Sequence, residues 1–326
     1  MTKTMRALIG GRGPTWALDQ IPVPEPEPGQ VLIRNRAPAT NNADLPMLDA
    51  ADPTCGGTGE EFTAGYEYAG QIAAVGEDAG DWQVGDAVMG TFPSAFADYL
   101  VADHRFVLPR PKNLAPEMAC ALPTALLTEF GALRTAGFET SQSLLITGAS
   151  TSIGMIGIQI AKTLGASQII ATTRTAGKRE LLTSLGADTV IVTGDEDLTD
   201  AVLSVTGDNG VDIVLDHVAG DMFAQCLPAT AVDGHVVNIG RLAGPASTID
   251  IDDLSYRHLT VHGVSFGFSR DWETVPILEA LRADVLPAVS HGDIAPVIDS
   301  TFDADLPQAV DRLRSGKAVG KIVLTF

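Results

Sequence analysis

The sequence predicts an α/β protein in which a β-rich segment is followed by a doubly wound domain with a parallel sheet. Two patterns carry this prediction. Roughly the first 110 residues consist of short apolar runs separated by glycine and proline, which is typical of strands joined by turns. Residues 144–264 then alternate between apolar strands and helical segments, and the strands are expected near 144–147, 168–173, 189–193, 211–216, 234–239 and 259–264.

The β-rich segment begins with strands at 6–9 and 30–34, separated by a rigid proline-rich stretch at 22–28. Residues 37–60 contain many Asn, Asp, Pro and Gly residues and are predicted to be loop. Further strands are predicted at 66–75, after the turn at 84–88, at 95–101 and at 106–108, and a helical pattern follows at 116–133. At the other end of the chain, helices are predicted at 275–290 and 306–315 and a strand at 322–325.

The segment Ser143–Arg174 contains the strand, tight turn, helix and strand that make up half of a dinucleotide-binding fold. Unpaired backbone N–H groups and the positive end of the helix dipole meet at such a turn, which suits a pyrophosphate. Only the last glycine of a G-x-G-x-x-G fingerprint is present, so the turn by itself fits an ordinary α/β protein equally well. The candidate phosphate-binding residues are Ala149, Ser150, Thr151, Ser152, Ile153 and Gly154.

The residues after the second strand indicate which dinucleotide is bound. An NAD-binding domain places Asp or Glu there to accept hydrogen bonds from the ribose hydroxyls. This chain has Thr173 and Arg174, then Lys178 and Arg179, and its first acid in this segment is Glu180. Lys and Arg make up only 21 of the 326 residues, so a cluster of three is informative. The sequence therefore predicts NADPH as cofactor, with Thr173, Arg174 and Lys178 near its 2′-phosphate.

The overall composition excludes several classes of function. The net charge of −20 argues against nucleic acid and anionic membrane surfaces as main partners. The three cysteines, Cys55, Cys120 and Cys226, form no C-x-x-C pair, which argues against a cysteine-rich zinc lobe and a disulfide framework and favours the cytoplasm. The apolar part of the N-terminal segment is too short for a signal peptide.

Short motifs along nearly the whole chain resemble the medium-chain dehydrogenase/reductase superfamily, and within it the zinc-independent quinone oxidoreductase branch. The matching stretches are Gly65–Gly70 with Val75-Gly76, Val84–Val88, Leu122–Thr128, the 144–165 turn and helix, Gly186–Asp188, Gly210–Asp216 and Gly320–Leu324. The resemblance implies a GroES-like β-rich catalytic domain formed by residues 1–120 and 265–326. It also implies a Rossmann NADP-binding domain at residues 121–264 and an active-site cleft between the two domains.

The departures from this family concern its zinc site. Where the zinc alcohol dehydrogenases have Cys-x-x-Asp, Gly-His-Glu and Pro-Cys-Ala, this chain has Asn41 before Asp44, Tyr66 before Glu67, and Thr124. Asn, Tyr and Thr do not replace the thiolate and imidazole ligands of a tetrahedral zinc site, so no metal is predicted. The resemblance places Asn41, Tyr66 and Thr124 in the substrate pocket and gives Asp44 and Glu67 a structural role.

Three further residues are assigned to the cofactor site by the same resemblance. Thr128 matches the position that flanks the nicotinamide, and Gly240 with Arg241 follows a strand end near it. His217, next to Asp216, is interpreted as a loop or core histidine. The apolar strand 259–264 is expected at the edge of the parallel sheet, where it favours a homodimer or a dimer-based tetramer.

The function expected from these observations is NADPH-dependent hydride transfer, without zinc, to quinones or to the activated C=C bond of α,β-unsaturated carbonyl compounds. A non-catalytic NADPH-binding protein is one alternative. A second is an α/β-hydrolase, because Gly148–Ser152 nearly matches G-x-S-x-G, and Asp216 and His258 follow it in the required order. A short-chain dehydrogenase is disfavoured because the chain has no Tyr-x-x-x-Lys.

Overall fold

The computed structural model describes residues 3–267, 270–304 and 308–326, which form two compact units. The first unit contains Met1–Thr124 and Ala295–Phe326, and the second contains Ala125–Ile294. The second boundary thus follows residue 294 rather than residue 264. The helices after residue 270 belong to the second unit because their apolar side chains, such as Ile277 and Leu281, are buried there.

The strands and helices are numbered in chain order. The strands are β1 Thr4–Gly10, β2 Ala17–Pro22, β3 Gln30–Ala39, β4 Phe62–Thr63, β5 Glu67–Val75, β6 Ala87–Thr91, β7 Tyr99–Asp103, β8 Val107–Pro109, β9 Ser143–Ile146, β10 Gln168–Thr173, β11 Thr189–Val192, β12 Val211–Asp216, β13 Thr230–Asn238, β14 Thr260–Gly263, β15 Ile298–Asp303 and β16 Lys321–Thr325. The helices are α1 Asp44–Ala51, α2 Pro116–Ala119, α3 Pro123–Thr135, α4 Ser152–Thr163, α5 Arg179–Leu185, α6 Leu198–Thr206, α7 Asp221–Cys226, α8 Ile251–Tyr256, α9 Asp271–Asp284, α10 Leu286–His291 and α11 Gln308–Arg314.

The first unit is built from two mainly antiparallel sheets. Within the described residues, one sheet has the order β2-β1-β4 and the other has the order β15-β16-β3-β5-β6-β8, with β7 also paired to β3. The C-terminal strand β16 lies beside β3, where Val323 faces Ala39, so both ends of the chain complete one sheet. Tyr68, Phe96 and Ile33 are fully buried in the core of this unit.

The second unit has a parallel sheet whose described strands follow the order β11-β10-β9-β12-β13-β14. Counted from β9, this is the order 3-2-1-4-5-6 of the dinucleotide-binding fold, so the prediction of a doubly wound domain is confirmed. Its central strands are continuous apolar runs because helices cover both faces of such a sheet; Leu144, Leu145, Val214 and Leu215 are fully buried.

Three predicted elements differ from the observed ones. The segment 37–60, predicted to be loop, contains α1, in which Leu48 and Ala51 are buried three residues apart on one face. The strand predicted at 95–101 begins only at Tyr99. The helix predicted at 275–290 is two helices, α9 and α10, because Pro287 near the start of α10 cannot continue the hydrogen bonding of α9.

The helix predicted at 306–315 is observed as α11, and residues 306 and 307 lie outside the described residues. Each helix in the described part of the chain is either too short or too polar to cross a membrane.

Candidate cofactor and catalytic sites

The predicted phosphate-binding turn joins the end of β9 to the start of α4. Thr151 is the N-cap of α4, and its Oγ1 accepts a hydrogen bond of 3.1 Å from the backbone N–H of Gly154. Gly154 permits close packing of helix against turn, because a Cβ at this position would lie 2.7 Å from the Cα of Ala149. Gly148 has a φ of +57°, in the left-handed region that favours glycine. The remaining N–H groups at the start of α4 are therefore available to an anionic group.

Two cationic residues lie beside this turn, at the end of β10. The Lys178 ammonium is 3.5 Å from the Ser150 hydroxyl, and Arg174 is exposed. Burial, and then the positive charge of Arg174, lower the pKa of Lys178. Thr173 is almost fully buried, and its hydroxyl donates a hydrogen bond to the carbonyl of Thr175. Two neighbouring positive charges favour the binding of a group with two negative charges at this point.

Arg179, the third cation of the predicted cluster, turns away from this site. Its guanidinium donates to the Val190 carbonyl at 2.6 Å and to the Glu196 carboxylate at 3.3 Å. The candidate cationic site for the cofactor thus contains two residues, Arg174 and Lys178, rather than three.

Two other predicted cofactor residues, Gly240 and Arg241, lie at the same edge of the sheet, because parallel strands share their carboxyl ends. Gly240 follows β13, and a Cβ there would lie 2.3 Å from the carbonyl oxygen of His217, so this segment packs closely on the end of β12. Arg241 is exposed beside it. Thr128 lies on α3 and is half-buried. Ligands of this fold class bind at the carboxyl edge of the sheet.

The sequence analysis missed one functional candidate here, Glu129 on α3. Its carboxylate is fully buried and its Oε1 lies 2.5 Å from Nε2 of His217, which has 5% of its side chain exposed. His217 is therefore a core histidine, as interpreted, but one with a buried acidic partner. The sequence signal that could have identified Glu129 is that it is the single acid in the apolar run 118–133.

The residues of the hydrolase alternative are not assembled. The Asp216 carboxylate accepts hydrogen bonds from the Thr147 hydroxyl at 2.7 Å and from the Ala219 N–H at 3.0 Å. His258 instead lies on the surface, with its Nδ1 3.6 Å from the Asp233 carboxylate. A Ser-His-Asp hydrolase needs its histidine between the acid and the serine, so the geometry gives this alternative no support.

The first unit contains a buried polar cluster around Glu67. The Glu67 side chain is fully buried, and Lys321 of β16 is 2% exposed. The Lys321 ammonium donates to Glu67 Oε2 at 2.6 Å and to the Asn41 side-chain oxygen, while the Asn41 amide nitrogen donates to Glu67 Oε2 at 3.1 Å. Glu67 Oε1 accepts from the Thr124 backbone N–H at 2.7 Å. Two of the predicted catalytic residues, Asn41 and Thr124, are thus joined through Glu67.

Asp44 lies next to this cluster and is almost fully buried. Its Oδ2 accepts the Asn41 backbone N–H at 2.6 Å, and its Oδ1 has no hydrogen-bond partner in the described part of the chain. Burial raises the pKa of Asp44 to about 7, although the hydrogen bond from Asn41 and the charge of Lys321 oppose this. The expected structural role of Asp44 and Glu67 agrees with these contacts.

Tyr66, the third predicted catalytic residue, does not bond to the cluster. Its hydroxyl lies 2.6 Å from the sulfur of Met47 on α1, and its ring is half-buried. Burial, and then the negative charge of Asp44, raise the pKa of this phenol, so Tyr66 stays a neutral hydrogen-bond donor at neutral pH.

These residues do not fit a zinc ion. The Asn41 side-chain oxygen already accepts the Lys321 ammonium, so a divalent cation there would be placed against a buried positive charge. Thr124 Oγ1 is buried without a hydrogen-bond partner in the described chain, but a neutral hydroxyl is a poor zinc ligand. Among residues 3–267, 270–304 and 308–326, no three His, Cys, Asp or Glu side chains are grouped as a metal site.

Two protein-family models match the chain. Residues 27–112 match the alcohol dehydrogenase GroES-like domain, and residues 152–280 match the zinc-binding dehydrogenase domain. The two matches correspond to the β-rich first unit and the doubly wound second unit.

Individual relatives are similar over most of the chain. The 2-methylene-furan-3-one reductase of Solanum lycopersicum is 30% identical over 325 residues, which cover 93% of this chain and 74% of that protein. Quinone oxidoreductase-like protein 2 of Bos taurus is 26% identical over 269 residues, 81% of this chain and 76% of that protein. Erythronolide synthase EryA2 of Saccharopolyspora erythraea is 30% identical over 98% of this chain, which spans only 9% of the synthase.

Among solved structures, that of mycobacterial Rv1454c complexed with NADPH is similar, with a TM-score of 0.85 and 25% identity. The similarity covers 99% of this chain and 100% of the mycobacterial one.

Proposed function

Because this chain belongs to the medium-chain dehydrogenase/reductase superfamily and to its quinone oxidoreductase-like branch, we propose that it is an NADPH-dependent reductase. Its substrates are quinones or α,β-unsaturated carbonyl compounds, and it works without zinc. The hydride passes from the nicotinamide to the quinone or to the β-carbon of the enone.

The observation that carries this proposal is the pair of cations beside the phosphate-binding turn. Lys178 is 3.5 Å from Ser150, and Arg174 directly follows β10, where an NAD-binding domain has a carboxylate. Both side chains suit the 2′-phosphate of NADPH, which NADH lacks. The similar mycobacterial structure complexed with NADPH supports this choice of cofactor.

The bound NADPH supplies the hydride, and the residues of the chain bind and orient the reactants. Tyr66 is the strongest candidate for contact with the acceptor carbonyl, because its hydroxyl is a neutral donor whose partner in the described part of the chain is the thioether sulfur of Met47. Asn41 and Thr124 are held by the Glu67–Lys321 pair and shape the same part of the first unit. Water can protonate the enolate formed from an enone or the hydroquinone anion formed from a quinone, so no acidic side chain is required.

The presence of Asn41, Tyr66 and Thr124 at the three ligand motifs of the zinc enzymes supports acceptors that do not need metal activation. An alcohol or aldehyde substrate depends on a Lewis acid to polarise its oxygen in the zinc enzymes of this superfamily. A quinone or enone is already an electrophile, and a single hydrogen bond to its oxygen assists hydride addition.

The test is NADPH consumption by the purified full chain against a panel of quinones, enones, enoyl thioesters and aldehydes. We expect turnover with quinones or enones and none with simple aldehydes. Fluorescence titration with NADPH measures cofactor binding separately. If NADPH binds but no member of the panel is reduced, the catalytic proposal is wrong and the protein is a non-catalytic NADPH-binding protein.

A further inference from the structure

A buried acid and a buried histidine lie in contact inside the second unit, and the proposed reaction uses neither. Glu129 of α3 is fully buried, and His217 directly follows β12. Glu129 Oε1 and His217 Nε2 are 2.5 Å apart, a charge-assisted hydrogen-bond distance. We call these two residues the Glu129–His217 pair.

The contacts of the imidazole fix the number of protons in the pair. His217 Nδ1 lies 2.8 Å from the carbonyl oxygen of Thr147, which can only accept, so Nδ1 carries a proton. The contact between Nε2 and Oε1 then needs one proton, located on either the imidazole or the carboxyl group. With this proton the pair is neutral overall. Loss of the proton would leave a buried carboxylate facing the lone pair of a ring nitrogen.

The surroundings favour retention of this proton. Burial alone lowers the pKa of His217, but the charge and hydrogen bond of Glu129 and the hydrogen bond to Thr147 outweigh it, so the pKa is raised. Asp216 is the other charged group that acts on the imidazole, and it also raises the pKa. Its carboxylate is held by the Thr147 hydroxyl and by the N–H groups of Val218 and Ala219.

The pair also connects the segments that carry the candidate cofactor residues. Glu129 follows Thr128 on α3, and Thr147, which bonds to the imidazole, precedes the turn at Gly148. A Cβ at Gly240 would lie 2.3 Å from the His217 carbonyl oxygen, and a Cβ at Gly157 of α4 would lie 2.3 Å from Glu129 Oε2. Since α3 carries Glu129, Thr147 bonds to the imidazole and α4 packs on Glu129 Oε2, displacement of either side chain would move these segments. The segment after β13 packs on the main chain of His217.

We propose that Glu129 and His217 are positioning residues for the dinucleotide site, and that NADPH affinity depends on the single proton that they share. This inference rests on the proposed binding of NADPH. Affinity is highest while the pair holds its proton and falls as the pH rises through the raised pKa of His217. Neither residue is assigned contact with the cofactor, so the effect appears in the dissociation constant and in KM for NADPH rather than in kcat.

The experiment measures the NADPH dissociation constant by fluorescence titration between about pH 6 and about pH 10. It uses the wild type, Glu129→Gln and a control, His258→Gln, which removes an exposed histidine from the same unit. We expect the wild type and the control to lose at least about fivefold in affinity across the alkaline half of this range. Glu129→Gln should lose less affinity than the wild type over this range, because its amide can donate to neutral His217 without a titrating proton. The loss that remains in this variant belongs to Lys178, whose pKa is lowered.

A second measurement follows the titration in the wild type itself, and a variant serves only to assign the signals. Histidine ¹⁵N chemical shifts report which ring nitrogens carry protons, and His217→Asn assigns the His217 signals. The midpoint of the His217 titration should coincide with the midpoint of the affinity change.

The possible failures are distinguishable. A flat affinity profile in a wild type that binds NADPH overturns the inference alone, as does an affinity change with a midpoint different from that of His217. A protein that binds no NADPH at any pH overturns the proposed function, and the inference fails with it.

Discussion

The choice between NADPH and NADH can be tested at Arg174. Two charge-assisted hydrogen bonds to a 2′-phosphate, from Arg174 and Lys178, would contribute roughly 1.5–3 kcal/mol each when fully formed. Arg174 is exposed and Lys178 is only partly buried, so solvent screening reduces this contribution by about half or more. Since about 1.4 kcal/mol corresponds to a tenfold change, NADPH should bind at least about tenfold more tightly than NADH.

Arg174→Asp should abolish most of this preference. The new carboxylate repels the 2′-phosphate and can accept from the ribose hydroxyls of NADH, so the ratio of the two dissociation constants should approach about one. The maximal rate with NADPH should change by less than about twofold, because the removed contact is equally strong in the ground state and the transition state.

Arg174→Gln and Arg179→Gln make a matched comparison, because each removes one positive charge from the same segment. Only Arg174→Gln should weaken NADPH binding, since the Arg179 guanidinium is held by Val190 and Glu196. Equal binding of NADH and NADPH by the wild type, or equal effects of the two Gln substitutions, would refute the reasoning.

Four further results are expected. Tyr66→Phe should lower kcat by about tenfold or more with little change in NADPH affinity. Steady-state kinetics and NADPH titration measure the two effects, and an unchanged kcat would show that Tyr66 is not part of the site. Lys321→Met should lower the free energy of unfolding in urea by about 3–5 kcal/mol, because Glu67 would remain as a buried unpaired charge. The control Lys317→Met, at an exposed lysine, should have almost no effect. Elemental analysis should find no stoichiometric zinc, and one zinc per chain whose removal abolishes activity would contradict this. Light scattering should give a dimer that Val261→Lys on edge strand β14 converts to a monomer, and a monomeric wild type would contradict the role of this strand.

The sequence predicts the elements whose signals are local. The apolar run Leu144–Ile146 predicts β9, because a buried parallel strand has apolar residues at successive positions. The isoleucines that follow at helical spacing predict α4, because one face of that helix is buried. Helix α1 was missed because its Asp and Pro residues are also typical of loops, and only the burial of Leu48 reveals the packed face.

The contacts of the candidate sites depend on pairs that are distant in the chain. Glu67 and Lys321 are 254 residues apart, and Glu129 and His217 are 88 residues apart, so no local pattern predicts either pair. The resemblance to a family named Asn41 and Thr124 as substrate-pocket residues, and the structure shows that both bond to the carboxylate of Glu67. It gave no information on Glu129, because the partner of a buried acid is identified only by the fold.

The discontinuous first unit has a consequence for the order of folding during synthesis. Residues 125–294 form a contiguous unit, so all of its strands are available once residue 294 has left the ribosome. The sheet that contains β3 and β5 cannot be completed before β15 and β16, at residues 298–325, have been made. Until then Glu67 lacks its cationic partner and one side of β3 has no neighbour where β16 will lie. The nascent chain therefore holds an open sheet edge through more than half of its synthesis, a period in which a chaperone would protect it from aggregation.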